Sequence, residues 1–215
     1  MQVAQCMELL EAFATQRRTG APRTIALTFD DGPNPAMTPQ LLDLLEHYDA
    51  RGTFFLVGRH VRACPALTAE IAARGHSIGN HTDTHPNLLW QSRRRILDEL
   101  ERCNQSIADA TGWRPRIMRP PWGFRPPQMY AAARDAGFSR PVLWSRSARD
   151  WTPQQSAQVI RRLRRIREGE IVLLHDGFHA QIGADRGHTI RALEYWLPRW
   201  KAEGLACISL GGQVS

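Results

Sequence analysis

Short apolar runs alternate along the chain with longer stretches in which apolar residues recur three and four positions apart. Residues 24–29, 53–57, 76–80, 116–119, 141–144, 170–174 and 206–209 are brief apolar runs bounded by Gly, Pro or charged residues, and they read as strands. Helical spacing fills the intervals. Thr38-Pro39 opens a helix through Leu41, Leu42, Leu44 and Leu45, and Pro65 opens one that Gly75 ends. Ser92 caps a longer one carrying Ile96, Leu100, Cys103 and Ile107, which Gly112 stops. Pro127 to Gly137 and Thr152-Pro153 to Gly169 bound two more, and a last helix covers 189–202. Residues 1–13 carry the pattern of a surface helix, followed by a linker.

Strand and helix thus alternate about seven times, which implies a parallel α/β sheet covered by helices, either open or closed into a barrel. A barrel would gather functional residues at the carboxyl ends of several strands. A length of 215 residues with 42% hydrophobic residues suits one domain over 21–215, preceded by the helix and linker of 1–20.

Composition narrows the classes. No apolar run approaches the roughly 20 residues of a membrane span. No basic-then-apolar leader opens the chain, so as given it reads as cytoplasmic; a leader lost upstream would make it secreted or periplasmic. Cys6, Cys64, Cys103 and Cys207 form no C-x-x-C pair and are expected to be reduced and mostly buried. The formal charge is +7, almost all of it arginine, with Lys201 the single lysine. Such a balance suits an anionic substrate or surface, or is mere compositional bias. The cluster 161–167 places Val159, Ile160, Leu163 and Ile166 on one helical face and its arginines on the other, so it reads as a solvated face. No nucleic-acid motif accompanies it. Nothing in the sequence fixes an oligomeric state.

Polar residues collect at the strand ends. Asp30-Asp31 follows the first strand, His81 and His85 the third, and Arg119 ends the fourth. Asp150-Trp151 lies after the fifth, and His175-Asp176 ends the sixth. In a helical turn, the spacing of four would put His81 and His85 on one face. Two His and a carboxylate leave one position open, the arrangement of a catalytic zinc. Adjacent aspartates can divide ligation from proton abstraction, although Asp31-Gly32-Pro33 also reads as a simple turn. Arg119-Pro120-Pro121-Trp122-Gly123 is either a rigid proline turn or an arginine that orients a carboxylate. His175 could donate a proton near neutral pH or be an ordinary buried histidine.

Four of these segments together resemble the NodB-homology polysaccharide deacetylases, carbohydrate esterase family four. They are Thr28-Phe29-Asp30-Asp31-Gly32-Pro33, His81-Thr82-Asp83-Thr84-His85, Arg119-Pro120-Pro121-Trp122-Gly123 and Leu173-Leu174-His175. The resemblance covers residues 24–210. It implies a distorted, incomplete (β/α) barrel and hydrolysis of the acetamide of an N-acetylated sugar, chitin-like, peptidoglycan-like or small. It implies Asp30 as general base, His175 as general acid, and Asp31, His81 and His85 as ligands of one divalent metal. Zinc is expected, with cobalt, manganese or nickel as alternatives. Arg119 would orient Asp30, and the Trp122 N–H would hold the oxyanion, worth about 3 kcal/mol per donor. An O-acetyl esterase on a polymer such as xylan, or a non-catalytic carbohydrate-binding module, remain the competing readings. One motif departs: Ser147 stands where relatives carry the aspartate that tunes the acid histidine. Asp150 is the candidate replacement.

Overall fold

The computed structural model describes residues 18–138 and 141–211. The expected N-terminal helix of 1–13, with Cys6, lies outside them. Arg18 and Thr19, expected as linker, dock on the body instead: Arg18 bridges Glu170, and the Thr19 N–H donates to the Gly169 carbonyl at 2.9 Å. Among the described residues no helix is long and apolar enough to cross a membrane.

Among the described residues, six strands and seven α-helices alternate. They run β1 (Thr24–Asp30), α1 (Thr38–His47), β2 (Gly52–Leu56), α2 (Gly58–Ala63), α3 (Pro65–Ala73) and β3 (Ser77–Asn80). Then come α4 (Arg93–Thr111), α5 (Pro127–Asp135), β4 (Arg146–Ser147), α6 (Ser156–Leu163), β5 (Ile171–His175), α7 (Gly187–Ala202) and β6 (Ala206–Cys207). All pairings between these strands are parallel, in the order β3-β2-β1-β5-β4, with β6 beside the start of β1.

Two expected strands shrink to single bridges. Residues 116–119 pair only through Met118, which touches Asn80 on one side and Pro141 on the other. Residues 141–144 are likewise no full strand. Prolines explain this: Pro120, Pro121 and Pro141 have no N–H to give a ladder. The bridges still matter, because they carry the sheet from β3 through Met118 to the segment that enters β4. The ring therefore closes as an irregular barrel. Arg146–Ser147, outside every expected strand, supplies the pairing to β5.

Helix boundaries follow the expected chemistry. The Ser92 hydroxyl accepts from the Arg95 N–H at the start of α4, and Gly112 ends it at φ 84°. Thr152-Pro153 does not open α6; 152–155 are irregular, and the helix spans Ser156–Leu163. The arginine cluster therefore runs past the helix end. Its apolar face is as expected: Val159 and Leu163 are fully buried, and Ile160 and Ile166 pack beside them. Helix α2 was not anticipated, since Gly58 and two arginines mask its pattern.

Two-residue periodicity along β1 positions the site. Ile25, Leu27 and Phe29 face outward into the core shared with the helices. Ala26 joins the barrel interior with Phe55, Val142, Ile171 and Leu210. Thr28 and Asp30 share that inward face, where both meet Arg119.

Candidate active site

Arg119 is the axis of the site. Its side chain is fully buried inside the barrel. One guanidinium nitrogen donates to the Thr28 hydroxyl and to Asp30 Oδ1, both at 2.7 Å. The other nitrogens donate to the carbonyls of Val142 and Leu143. The guanidinium also lies 4.2 Å over the Phe55 ring. Burial pulls its pKa down, and the Asp30 charge opposes that. A buried cation with every face occupied is compatible with burial, whereas an unpaired one is not.

Asp30 and Asp31 diverge as neighbours after a strand should. Asp30 Oδ1 is held by Arg119, while Oδ2 lies 3.7 Å from His81 Nε2. Asp31 turns the chain at φ 74°. Its Oδ1 lies 3.7 Å from His81 Nε2 and 3.4 Å from His85 Nε2. That oxygen is buried and has no hydrogen-bond partner among the described residues. Burial pushes the Asp31 carboxyl up, but a hydrogen bond to His179 and the charges of His85, His175 and His81 together hold it well below the usual range.

The histidines do not sit on a helical turn, contrary to the spacing argument. They flank a loop in which Thr82 and His85 both have positive φ, at 67° and 58°. Side chains pin that loop from behind. Glu99 accepts from the Thr84 N–H and hydroxyl, and Asn80 accepts from the Thr82 N–H. His81 Nδ1 donates to the Arg119 carbonyl at 2.7 Å, which leaves Nε2 as the ring nitrogen that faces Asp31. Burial and the neighbouring His81 push the His85 pKa down to about 2, so this imidazole stays neutral. Two histidine nitrogens around a buried, unpartnered carboxylate oxygen are the donor set a borderline cation such as zinc requires. The expected metal therefore fits these residues.

On the neighbouring strand β5, where His175 pairs in register with Asp30, His175 Nδ1 donates to Asp150 Oδ1 at 2.8 Å, and the His175 N–H donates to Asp150 Oδ2 at 2.9 Å. Thr189 and His188 also hold Asp150, through its carboxylate and its carbonyl. Burial lowers the His175 pKa, but the charge and hydrogen bond of Asp150 outweigh it and raise it to about 9. Among the described hydrogen bonds Ser147 makes none to His175; its hydroxyl accepts from the Arg149 N–H. Trp122 stands in the turn Pro121–Gly123 with φ 52°, its ring 4.4 Å from that of His85. Asp31, Thr82, His85 and Trp122 all take a backbone conformation that non-glycine residues avoid. Such clustering marks a site held against local strain.

Asp31, His85 and Trp122 line a cavity of about 830 Å³ whose walls also include Trp144, Trp151 and Phe178. That volume suits a small-molecule or oligomer segment. A sequence model for polysaccharide deacetylases matches residues 17–141. The chain belongs to that family. A polysaccharide deacetylase is a hydrolase, and relatives agree along nearly the whole length. A chitooligosaccharide deacetylase from Bradyrhizobium is 37% identical over 92% of this chain and 94% of its own. A peptidoglycan-N-acetylglucosamine deacetylase from Bacillus cereus is 37% identical over 87% and 86%. A family 4 carbohydrate esterase from Streptomyces lividans, solved with acetate, superposes at a TM-score of 0.79 with 26% identity, covering 87% and 93%. The structural neighbours have the distorted (β/α) barrel.

Sequence reasoning missed two groups in this deacetylase. His179 was assigned no role, yet its Nδ1 lies 3.4 Å from Asp31 Oδ2. Asp176 was noted only as the neighbour of His175. It is buried, receives the Thr38 hydroxyl, and burial raises its pKa to about 7. Gly32 leaves it room, since a Cβ there would come within 2.4 Å of its carboxylate. No spacing rule connects residues 32, 38 and 176, which meet only through the barrel.

Proposed function

We propose that this deacetylase hydrolyses the acetamide of N-acetylglucosamine units in an oligomer or polymer, in a metal-dependent reaction. The observation that carries the reading is the buried Asp31 Oδ1. It is faced by the Nε2 atoms of two histidines, beside an Asp30 clamped by Arg119 and paired in register with His175. The curated relatives named for chitooligosaccharide and peptidoglycan N-deacetylation support the substrate class.

Asp31, His81 and His85 would hold the cation. When bound, it polarises the acetamide carbonyl and makes water a stronger nucleophile. The remaining steps belong to the chain. Asp30 Oδ2, not engaged by Arg119, takes the proton of the attacking water, and Arg119 keeps that carboxylate aimed. The Trp122 N–H meets the oxygen that gains charge. His175, charged through its contact with Asp150, gives its proton to the leaving nitrogen as the C–N bond breaks. The products are acetate and a free amine. Trp122 and Trp151, 49% and 45% exposed, offer faces on which sugar rings can lie. The basic balance of the chain suits an anionic oligomer such as a peptidoglycan fragment.

The test is acetate release by the zinc-supplemented protein from chitin oligomers, peptidoglycan and acetylxylan, with Asp30→Asn as control. Acetate from the first two and none from the variant is expected. Acetate from acetylxylan alone would replace this reading by an O-acetyl esterase. No acetate from any substrate, with no metal retained, would replace it by a binding module.

A further inference from the structure

His179 belongs to the segment that follows β5, and its backbone is anchored from α2. The Arg59 guanidinium donates to the His179 carbonyl, and His60 donates to the Asp31 carbonyl at 3.0 Å on the same side. So tethered, the imidazole lies over the outer face of the proposed metal ligands. It stacks on His85 with ring centres 4.0 Å apart and planes 14° from parallel. Donor atoms of Asp31, His85 and His179 all lie within 4.8 Å of one another. Nitrogen donors about 2.0–2.1 Å from one tetrahedral ion sit roughly 3.3 Å apart, so this trio reaches a coordination shell by closing in and by turning the His179 ring out of its stack on His85, with His81, outside the trio, meeting it through Asp31 Oδ1 at 3.7 Å. Asp31 and His85 are nearly closed to solvent at 6% and 4%, whereas His179 remains 25% exposed on the cavity side.

We propose that His179 is a further protein ligand of the metal, joining Asp31, His81 and His85 when no substrate is bound. This rests on the metal-dependent reading above. Its consequence is chemical. Three protein ligands leave a catalytic position open, while four make a closed shell of the structural kind. His179 then occupies the position that acetamide or water must take, and its exposed edge lets it withdraw into the cavity. It caps the resting site and raises metal retention without taking part in the reaction.

The experiment uses the purified full chain as wild type, His179→Ala, His179→Gln and Asp31→Ala. Zinc affinity is read by competition with a chromophoric chelator, and the visible absorption of the cobalt(II)-loaded protein reports coordination. Loss of the His179 ligand should weaken zinc binding by about tenfold or more in both variants, at least the effect of losing a residue that merely supports a ligand. The cobalt band should also shift and change intensity as water replaces an imidazole. Asp31→Ala should lose tight binding altogether. Wild-type zinc affinity and an unaltered cobalt spectrum in both His179 variants would overturn the proposal while leaving the metal-dependent reading intact. A wild-type chain that retains no zinc or cobalt would overturn both.

Discussion

Asp150 grips His175 with both carboxylate oxygens, one on the ring Nδ1 and one on the backbone N–H. This makes Asp150 the charge that faces the proposed acid, while Ser147 turns away to Arg149. The His175 pKa, raised to about 9, places loss of its proton above neutrality. In the Asp150→Asn variant the main raising charge is gone, and burial is opposed only by the charges of Asp31 and Asp30, so the pKa falls. The alkaline limb of the rate profile should move to lower pH in Asp150→Asn and stay in place in Ser147→Ala. Superimposable profiles for wild type and Asp150→Asn would remove His175–Asp150 from the mechanism. The same pair contributes to stability. A folded-state pKa raised above the unfolded value adds stability that is fully present below about pH 6.5 and is lost as pH rises through about 9. The stability gap between wild type and Asp150→Asn should therefore narrow from pH 6 to pH 9.5 in thermal melts.

Arg119→Met tests the barrel interior. The change keeps an apolar stem but strips Asp30, Thr28 and two carbonyls of their donor. Removing one member of a buried pair costs about 3–5 kcal/mol, because the other is left desolvated. Urea unfolding should show a loss of that order, and deacetylation should vanish even where the protein remains folded. Full activity in a folded Arg119→Met protein would show that Asp30 needs no orientation from this side.

How legible this was from sequence depends on the range of the interaction. The strand-ending acids and the barrel class follow from local pattern, since β1 and β5 are continuous apolar runs that end in Asp30 and His175. The histidine pair was seen, but its geometry was misread. A spacing of four fits a helical turn, and only the contacts from Glu99 and Asn80 hold it in a strained loop instead. The strands around Met118 and Pro141 looked complete because hydrophobicity does not register missing proline donors. His179 carries no pattern at all: what brings it to Asp31 is a tether to Arg59, 120 positions away along the chain.

Gly177→Ala probes how closely β5 and β1 approach at the rim. A Cβ at 177 would lie 2.3 Å from the Asp31 carbonyl oxygen, a backbone atom that cannot rotate aside. Asp31 must therefore move with the rest of its loop. Overpacking of this kind costs about 1–3 kcal/mol in stability. The larger effect should fall on the site: zinc affinity measured by chelator competition should drop, whereas Gly183→Ala, strained by its φ of 79° but with open space around it, should leave that affinity unchanged. Equal zinc affinity in wild type and Gly177→Ala would mean that Asp31 tolerates displacement and is not fixed by this contact.

The cavity walls separate binding from chemistry. The Trp151 ring is 6.0 Å from that of His175, and Trp122 stands on the other side beside His85. Trp151 is 45% exposed and its ring takes no proton, so its contribution should be to hold sugar rather than to react. Trp151→Ala should raise KM for a chitin tetramer several-fold and change kcat little, because an interaction equal in ground and transition states affects KM alone. The effect should shrink for a monomeric N-acetylglucosamine substrate, which cannot span from the reacting centre to a distant platform. Isothermal binding of the tetramer to an inactive Asp30→Asn background supplies the same comparison without turnover. If Trp151→Ala instead lowers kcat with KM unchanged, Trp151 acts on His175 through their ring contact, and the platform must lie elsewhere along the cavity.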